Sequence, residues 1–203
     1  MVGQLPAVHQ QVRIATCHAE QMALLAATLS ADGLELRSWN PTFVDTMLIA
    51  IQESLPELAL WMHWAQTMPT GASLRGVLAQ GKEDFDADRK WDYSMFETQS
   101  GDLVGGAGLH RSEVPSCFEI GYWVHSHRTG KGYATIAARA LVGAAFRYLN
   151  NASQIMIRMD VGNLASASVP PKLGFSLIRQ EDREILAKGH TGRGYVWTLN
   201  RPR

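Results

Sequence analysis

The feature that most constrains this chain is a short segment in its second half. Phe118 to Val124 reads FEIGYWV, a run of aromatic and β-branched residues that favours a strand. It leads into His125-Ser126-His127-Arg128-Thr129-Gly130-Lys131-Gly132. From about Gly132 to Leu149 the apolar residues Tyr133, Ala137, Ala140, Leu141, Ala144 and Tyr148 recur at helical spacing. A strand passing through a two-glycine loop into a helix leaves the first helical N–H groups without internal partners. The helix dipole adds positive potential, and glycines let a ligand come close to the backbone. Such a junction suits an anion, most naturally a phosphate or pyrophosphate, with Arg128 and Lys131 adding charge.

Two common phosphate loops do not fit. A Walker-type loop needs GxxxxGK[ST], but Gly130-Lys131 is followed by Gly132, and the first glycine position holds His125. A dinucleotide fingerprint needs GxGxxG; Gly106-Ala107-Gly108 has Arg111 in the third glycine position, and no helix follows.

Around this segment the pattern predicts one mixed α/β domain. His18 to Leu29 favours a short helix, and Leu34 to Trp39 alternates as a strand. Asn40-Pro41 caps a helix to about Glu53, Pro56 opens another to about Gln66, and Leu74 to Trp91 is mostly helical. Strands are expected over 91–98, 103–111, 118–124, 154–160, 175–179 and 195–199, with a short helix from Asn163 to Leu173. The order is helices first, then a β-meander, then β–α–β–α–β, which is mixed α/β in a single domain.

Charge sharpens the picture. The 203 residues carry 19 basic and 19 acidic side chains. Zero net charge gives no bulk attraction for nucleic acid or an anionic membrane surface. The balance hides two unequal halves: residues 1–102 hold 6 basic and 13 acidic residues, and residues 103–203 hold 13 basic and 6 acidic. One reading is an acidic acceptor side and a basic anion side; the other is unevenly solvated surface. Cys17 and Cys117 belong to no CxxC pair and read as reduced thiols, without a disulfide framework or metal cluster. No apolar run reaches the roughly 18–20 residues of a membrane span, and no signal peptide is visible, so a cytoplasmic protein is expected.

Three segments in order resemble the GNAT superfamily of acetyl-CoA-dependent N-acyltransferases. They are Glu119-Ile120-Gly121-Tyr122-Trp123-Val124, then Thr129 to Thr135 (TGKGYAT), then Asn163 to Phe175 (NLASASVPPKLGF). Leu36-Arg37-Ser38-Trp39 and the stretch from Leu55 to Trp61 are similar to the RimJ/RimL-type branch. The resemblance spans roughly residues 33–199. It implies a single-domain GNAT fold over residues 32–203, a mixed, mostly antiparallel sheet flanked by helices with a splayed central strand, behind an N-terminal extension at 1–31.

The resemblance also implies roles. The backbone at Trp123 and Val124 would pair with the pantetheine arm of acetyl-CoA, and an N–H near Val124 would hold the thioester carbonyl. The amides of Thr129, Gly130, Lys131, Gly132, Tyr133 and Ala134 would cradle the pyrophosphate, helped by Arg128 and the Thr135 hydroxyl. Asn163 would bond the coenzyme arm, and Ser166 would lie near the sulfur. Thr129 stands where the family usually has Gln or Arg. Pro170 stands where many members carry a tyrosine that protonates the leaving thiolate, which leaves Ser166 or water as the acid.

A base must also take a proton from the acceptor ammonium. Glu119 is the first choice, with His110 and His125 as alternatives; His127 reads as a loop residue near phosphate. Trp61 and Trp64, three apart on an expected helix, share a face and read either as core or as a wall of the acceptor pocket; His110 could also bind the acceptor. The acidic run Glu83 to Asp88 reads as a solvated helix face or a lure for a cationic amine. The expected activity is acetyl transfer to a primary amine, a protein N-terminus or a small molecule. No metal, nucleic acid or membrane partner is expected, and a homodimer is implied by the branch. The alternative is a non-catalytic acyl-CoA-binding module.

Overall fold

The computed structural model describes residues 25–202. Eight strands form one sheet: β1 (Thr28–Ala31), β2 (Leu34–Ser38), β3 (Lys90–Glu97), β4 (Leu103–Arg111), β5 (Cys117–Val124), β6 (Gln154–Asp160), β7 (Ser176–Asp182) and β8 (Arg193–Asn200). Their spatial order is β1-β2-β3-β4-β5-β6-β8-β7. Every pair is antiparallel except β5 with β6. Helices α1 (Val44–Trp61) and α2 (Gly71–Asp86) cover one face, and α3 (Tyr133–Tyr148) covers the other. Two single-turn helices, α4 (Leu164–Ala167) and α5 (Val169–Lys172), follow β6.

The two faces follow from the period-two alternation of strand side chains. On β3, Trp91, Tyr93 and Met95 enter the core under α3, together with Leu109 of β4 and Ile120 of β5. On the opposite face, Phe96 and Leu103 join Val44, Met47, Ile51, Leu74 and Leu78 beneath α1 and α2. There β4 and β5 contribute Gly106, Gly108 and Gly121, so part of the sheet has no side chains to fill the space under the helices.

Several expectations are corrected. The helix expected over 18–29 lies mostly outside the described residues, but Thr28 and Leu29 are in β1, paired with Arg37 and Leu36. The sheet therefore begins before the boundary expected at residue 32. Glu53 does not end a helix, and Pro56 does not begin one. Helix α1 runs through Pro56, with Ala50, Ile51, Ser54 and Leu58 buried along it. Burial of that face outweighs the hydrogen bond the proline cannot make. The third helix starts earlier than expected, capped by the Thr70 hydroxyl accepting from the Ser73 N–H, and ends at Asp86, so Trp91 is a strand residue.

Candidate active site

The central opening arises where β5 and β6 part. They pair only over Cys117–Glu119 with Gln154–Met156. Beyond that point β5 keeps its partner β4 to Val124, and β6 keeps β8 to Asp160, but the two diverge. The His125 N–H donates to Val104 O at 2.9 Å. In an antiparallel ladder the donors alternate, so the N–H groups of Val124 and Tyr122 face away from β4 and into the gap. An extended ligand chain can complete the interrupted ladder there.

At the wide end of the gap lies the anion loop. Arg128 N–H bonds back to His125 O and Ile136 N–H to Gly132 O. Among the described residues, no backbone acceptor faces the N–H groups of Gly130 to Thr135. Gly130 and Gly132 hold φ of 76° and 83°, the left-handed region where glycine carries no Cβ penalty. Open space surrounds both α-carbons, so conformation rather than crowding selects glycine here.

The basic residues of the loop are less free than the sequence suggested. Arg128 pairs with Asp102 and, at 3.4 Å, with Glu97. Glu97 also accepts from Tyr133 and Ser100, and Lys131 Nζ stands 4.0 Å away. The Tyr133 hydroxyl, more than any other neighbour, holds the Glu97 carboxyl below its ordinary value, and Glu97 in turn pushes Tyr133 up. Arg128 thus staples the loop to β3 and the start of β4, leaving the anion to the amides and Lys131. Thr129 bonds to Ser126 O through its hydroxyl.

A second set of contacts fixes the loop and was not visible in the sequence. Helix α1 sends three side chains to the segment before the loop. Glu53 Oε2 meets His125 Nε2 at 2.8 Å, Ser54 Oγ accepts from Ser126 N–H at 3.0 Å, and Glu57 accepts from Ser126 Oγ at 2.9 Å. The other nitrogen of His125 accepts from His127 N–H, so the ring is a buried strut with both nitrogens engaged, not an available base. The i, i+1, i+4 spacing of Glu53, Ser54 and Glu57 was the available signal, but it is indistinguishable from an ordinary polar helix face.

Across the gap, Asn163 caps α4, its Oδ1 accepting from Ser166 N–H at 3.1 Å, which leaves its amide NH2 available. Ser166 Oγ lies 3.2 Å from the Tyr122 hydroxyl, and that hydroxyl lies 3.1 Å from Ser166 O. Burial pushes the Tyr122 phenol up to about 12, so it holds its proton at neutral pH. Tyr122, overlooked in the sequence, joins Ser166 beside the gap. Glu119 is elsewhere: it stands in the last β5–β6 pair, and both its oxygens are bound by Arg158, at 2.6 Å at closest. That ion pair clamps the closed end of the gap, about 16 Å along the strand from Val124.

On the α1–α2 face, a cleft of about 440 Å³ opens over the glycine-floored part of the sheet. Its walls include Trp39, Met47, Ile51, Trp64 and Trp123, and its polar floor is Lys90, Asp92 and His110. The glycines are required by what lies on them. A Cβ on Gly106 would stand 2.6 Å from Trp123 Nε1, and one on Gly108 would stand 2.3 Å from Asp92 Oδ1. Trp64 meets Trp123 edge-on, with ring centroids 6.3 Å apart. Trp61 and Trp64 do not share a helical face. Helix α1 ends at Trp61, Met62 is extended, and Trp64 sits in a separate single turn. Trp61 packs instead near Gly162 and Gly189, outside the cleft lining. The acidic run is occupied locally: Asp84 pairs with Arg89, Asp86 with Lys82, and Asp88 accepts from Trp91.

Residues 34–176 match the family model described as the acetyltransferase (GNAT) domain. A protein of Bacillus subtilis (strain 168), YdaF, provisionally named a ribosomal N-acetyltransferase, is 40% identical over 147 residues, covering 70% of this chain and 77% of its own. Among solved structures, the ribosomal L7/L12 α-N-protein acetyltransferase RimL, in complex with coenzyme A, superposes with a TM-score of 0.77 at 18% identity. That match covers 85% of this chain and 97% of RimL. The microcin C7 self-immunity acetyltransferase MccE, with acetyl-CoA and AMP, gives 0.75 at 15% identity, covering 83% and 93%.

Proposed function

Because the chain belongs to the GNAT acetyltransferase family, we propose that it transfers the acetyl group of acetyl-CoA to the N-terminal α-amine of a protein. The observation that carries this reading is that three features follow one another along β5: the loop of free amides, the interrupted β5–β6 ladder, and an aromatic cleft lined by Gly121, Tyr122 and Trp123. The residues present suit the coenzyme. The free amides of Gly130 to Thr135 and Lys131 would hold its pyrophosphate, and the inward N–H groups of Tyr122 and Val124 its pantetheine arm. The acetyl thioester supplies an activated acyl group. In this reading, an inward N–H of β5 near Val124, that of Tyr122 on the His110 side, polarises the carbonyl. The Asn163 amide orients the arm, and the Ser166–Tyr122 hydroxyl pair supplies a proton to the departing sulfur. Trp64 and Trp123 flank the entering amine. The names of YdaF and RimL favour a ribosomal-protein N-terminus as acceptor, reached in the cytoplasm.

The test is a panel of peptides with free and blocked N-termini, together with small-molecule amines. Coenzyme thiol release and peptide mass would be followed, and acetyl-CoA binding measured by calorimetry. Acetylation of free N-termini alone is expected. Acetylation confined to small amines would remove the protein acceptor. Tight acetyl-CoA binding with no turnover would point to a binding module instead.

A further inference from the structure

We infer that His110, oriented by Asp92, is the base that takes the proton from the acceptor ammonium. The inference rests on the proposed acetyl transfer but names a group no comparison assigns. His110 Nε2 lies 2.8 Å from Asp92 Oδ1. A carboxylate accepts, so the bonded nitrogen carries the proton and the lone pair is on Nδ1. Among the described residues Nδ1 has no protein partner, and the ring lines the cleft. Asp92 is 5% exposed, so this carboxylate is a fixed partner and not a surface charge.

The location fits as well as the pairing. Asp92 on β3, Gly108 on β4 and Gly121 on β5 stand opposite one another in register. Gly121 lies two residues past Glu119, where β5 leaves β6, so it borders the gap. The Asp92–His110 pair lies directly over Gly108, and Gly121 meets nothing within 4 Å at its missing Cβ. Two glycines therefore leave the sheet bare between the imidazole and the opening where an acyl group would enter. Other charges face His110. Lys90 on β3 stands 2.7 Å from Asp92 Oδ2 as an ion pair off the line of a hydrogen bond. Glu119 on β5 stands opposite His110, but Arg158 of β6 binds it. The residues of α1 and α2 that line the cleft are uncharged.

The step is a proton transfer. One N–H bond of the acceptor ammonium breaks, one N–H bond forms at His110 Nδ1, and the amine keeps its electron pair for attack. The imidazolium then returns the proton to solvent. Lys90, a cation already in the cleft, disfavours a second one and so favours the neutral amine.

His110→Gln keeps a donor for Asp92 but has no titrating nitrogen. It should lower kcat about 100-fold or more at neutral pH and leave acetyl-CoA affinity by calorimetry unchanged. The acid limb of the wild-type pH profile, where rate rises as the imidazole becomes neutral, should vanish. In wild type, the NMR titration of the His110 ring should follow that limb. Asp92→Asn, which removes the carboxylate that orients the ring, should lower kcat with acetyl-CoA affinity unchanged. Gly108→Ala would put a Cβ 2.3 Å from Asp92 Oδ1 and 2.8 Å from His110 Nε2, so the pair must shift and kcat should fall as in His110→Gln. Wild-type kcat and an intact acid limb in His110→Gln would overturn the inference and leave the proposed function standing. Wild-type protein that transfers acetyl to no amine would overturn both.

Discussion

The two halves of the site are built by different means. The proposed coenzyme side, from β5 through α4, consists mainly of backbone: six consecutive free amides, two left-handed glycines and an interrupted ladder. The proposed acceptor side is a set of side chains from β3, β4, β5, α1, α2, Trp39 and the turn at His63–Ala65, laid over a glycine floor. Backbone recognition needs only a local conformation, so it is written in a few adjacent residues. Side-chain recognition needs distant residues brought together, so it is specified by the fold. The acidic and basic halves do not map onto this division: Glu97 and Asp102, from the acidic half, hold Arg128 of the anion loop.

The contrast can be broken most sharply at Gly132. Gly132→Val must hold a β-branched residue at φ 83° and push bulk towards the amides. Acetyl-CoA affinity should fall on the order of ten- to a hundredfold by calorimetry, with acceptor preference unchanged in any residual activity. Wild-type affinity would mean that side chains, not amides, hold the coenzyme.

Ser54→Ala asks how far the coenzyme side depends on the acceptor-side helix. It removes the acceptor of the Ser126 N–H within the core. Leaving that amide unpaired should cost about 1–3 kcal/mol and lower Tm by several degrees, with weaker acetyl-CoA binding. An unchanged affinity would show the two halves to be independent.

On the acceptor side, Gly106→Ala should displace the Trp123 ring. KM for the acceptor should rise up to about tenfold, the worth of one well-placed aromatic contact, with acetyl-CoA affinity little changed. Trp64→Ala removes the other ring of that pair. Trp64 is 47% exposed, so a few-fold rise in acceptor KM is expected with almost no loss of Tm. A fall in coenzyme affinity in either variant would erase the distinction between the halves.

The smallest effect is a pH dependence on the coenzyme side. The Tyr133 hydroxyl favours the ionised Glu97 carboxyl in the folded protein and holds its pKa below the ordinary value, so their bond stabilises the fold above the ordinary carboxylate range. That contribution disappears as pH falls through the depressed folded value. The Tm difference between wild type and Tyr133→Phe should therefore be largest at neutral pH and shrink in acid. A difference independent of pH would mean that the phenol acts only by packing.

The same division explains what could be read in advance. The strand–loop–helix junction, the β-meander and β6 appear almost where periodicity put them, because strand alternation and helix-start chemistry act over a few residues. The errors fall where distant contacts overrule local preference. Pro56 did not break α1, because the buried residues on both sides of it hold one helix. Trp61 and Trp64 parted, because α1 ends between them. The partner of Glu119 was likewise out of local reach, since Arg158 is its neighbour only across the sheet.

By itself, then, the sequence determined a two-glycine loop at a helix start, of the kind that suits an anion, and to which family the chain belongs. It could do so because glycines and free amides act within one turn of the chain. Only the tertiary structure decided which side chains line the cleft. It set Asp92 beside His110 over a bare glycine, and Tyr122 beside Ser166, pairs 18 and 44 residues apart in sequence. Their chemistry depends on sheet register and on the parting of β5 from β6, which no local pattern encodes.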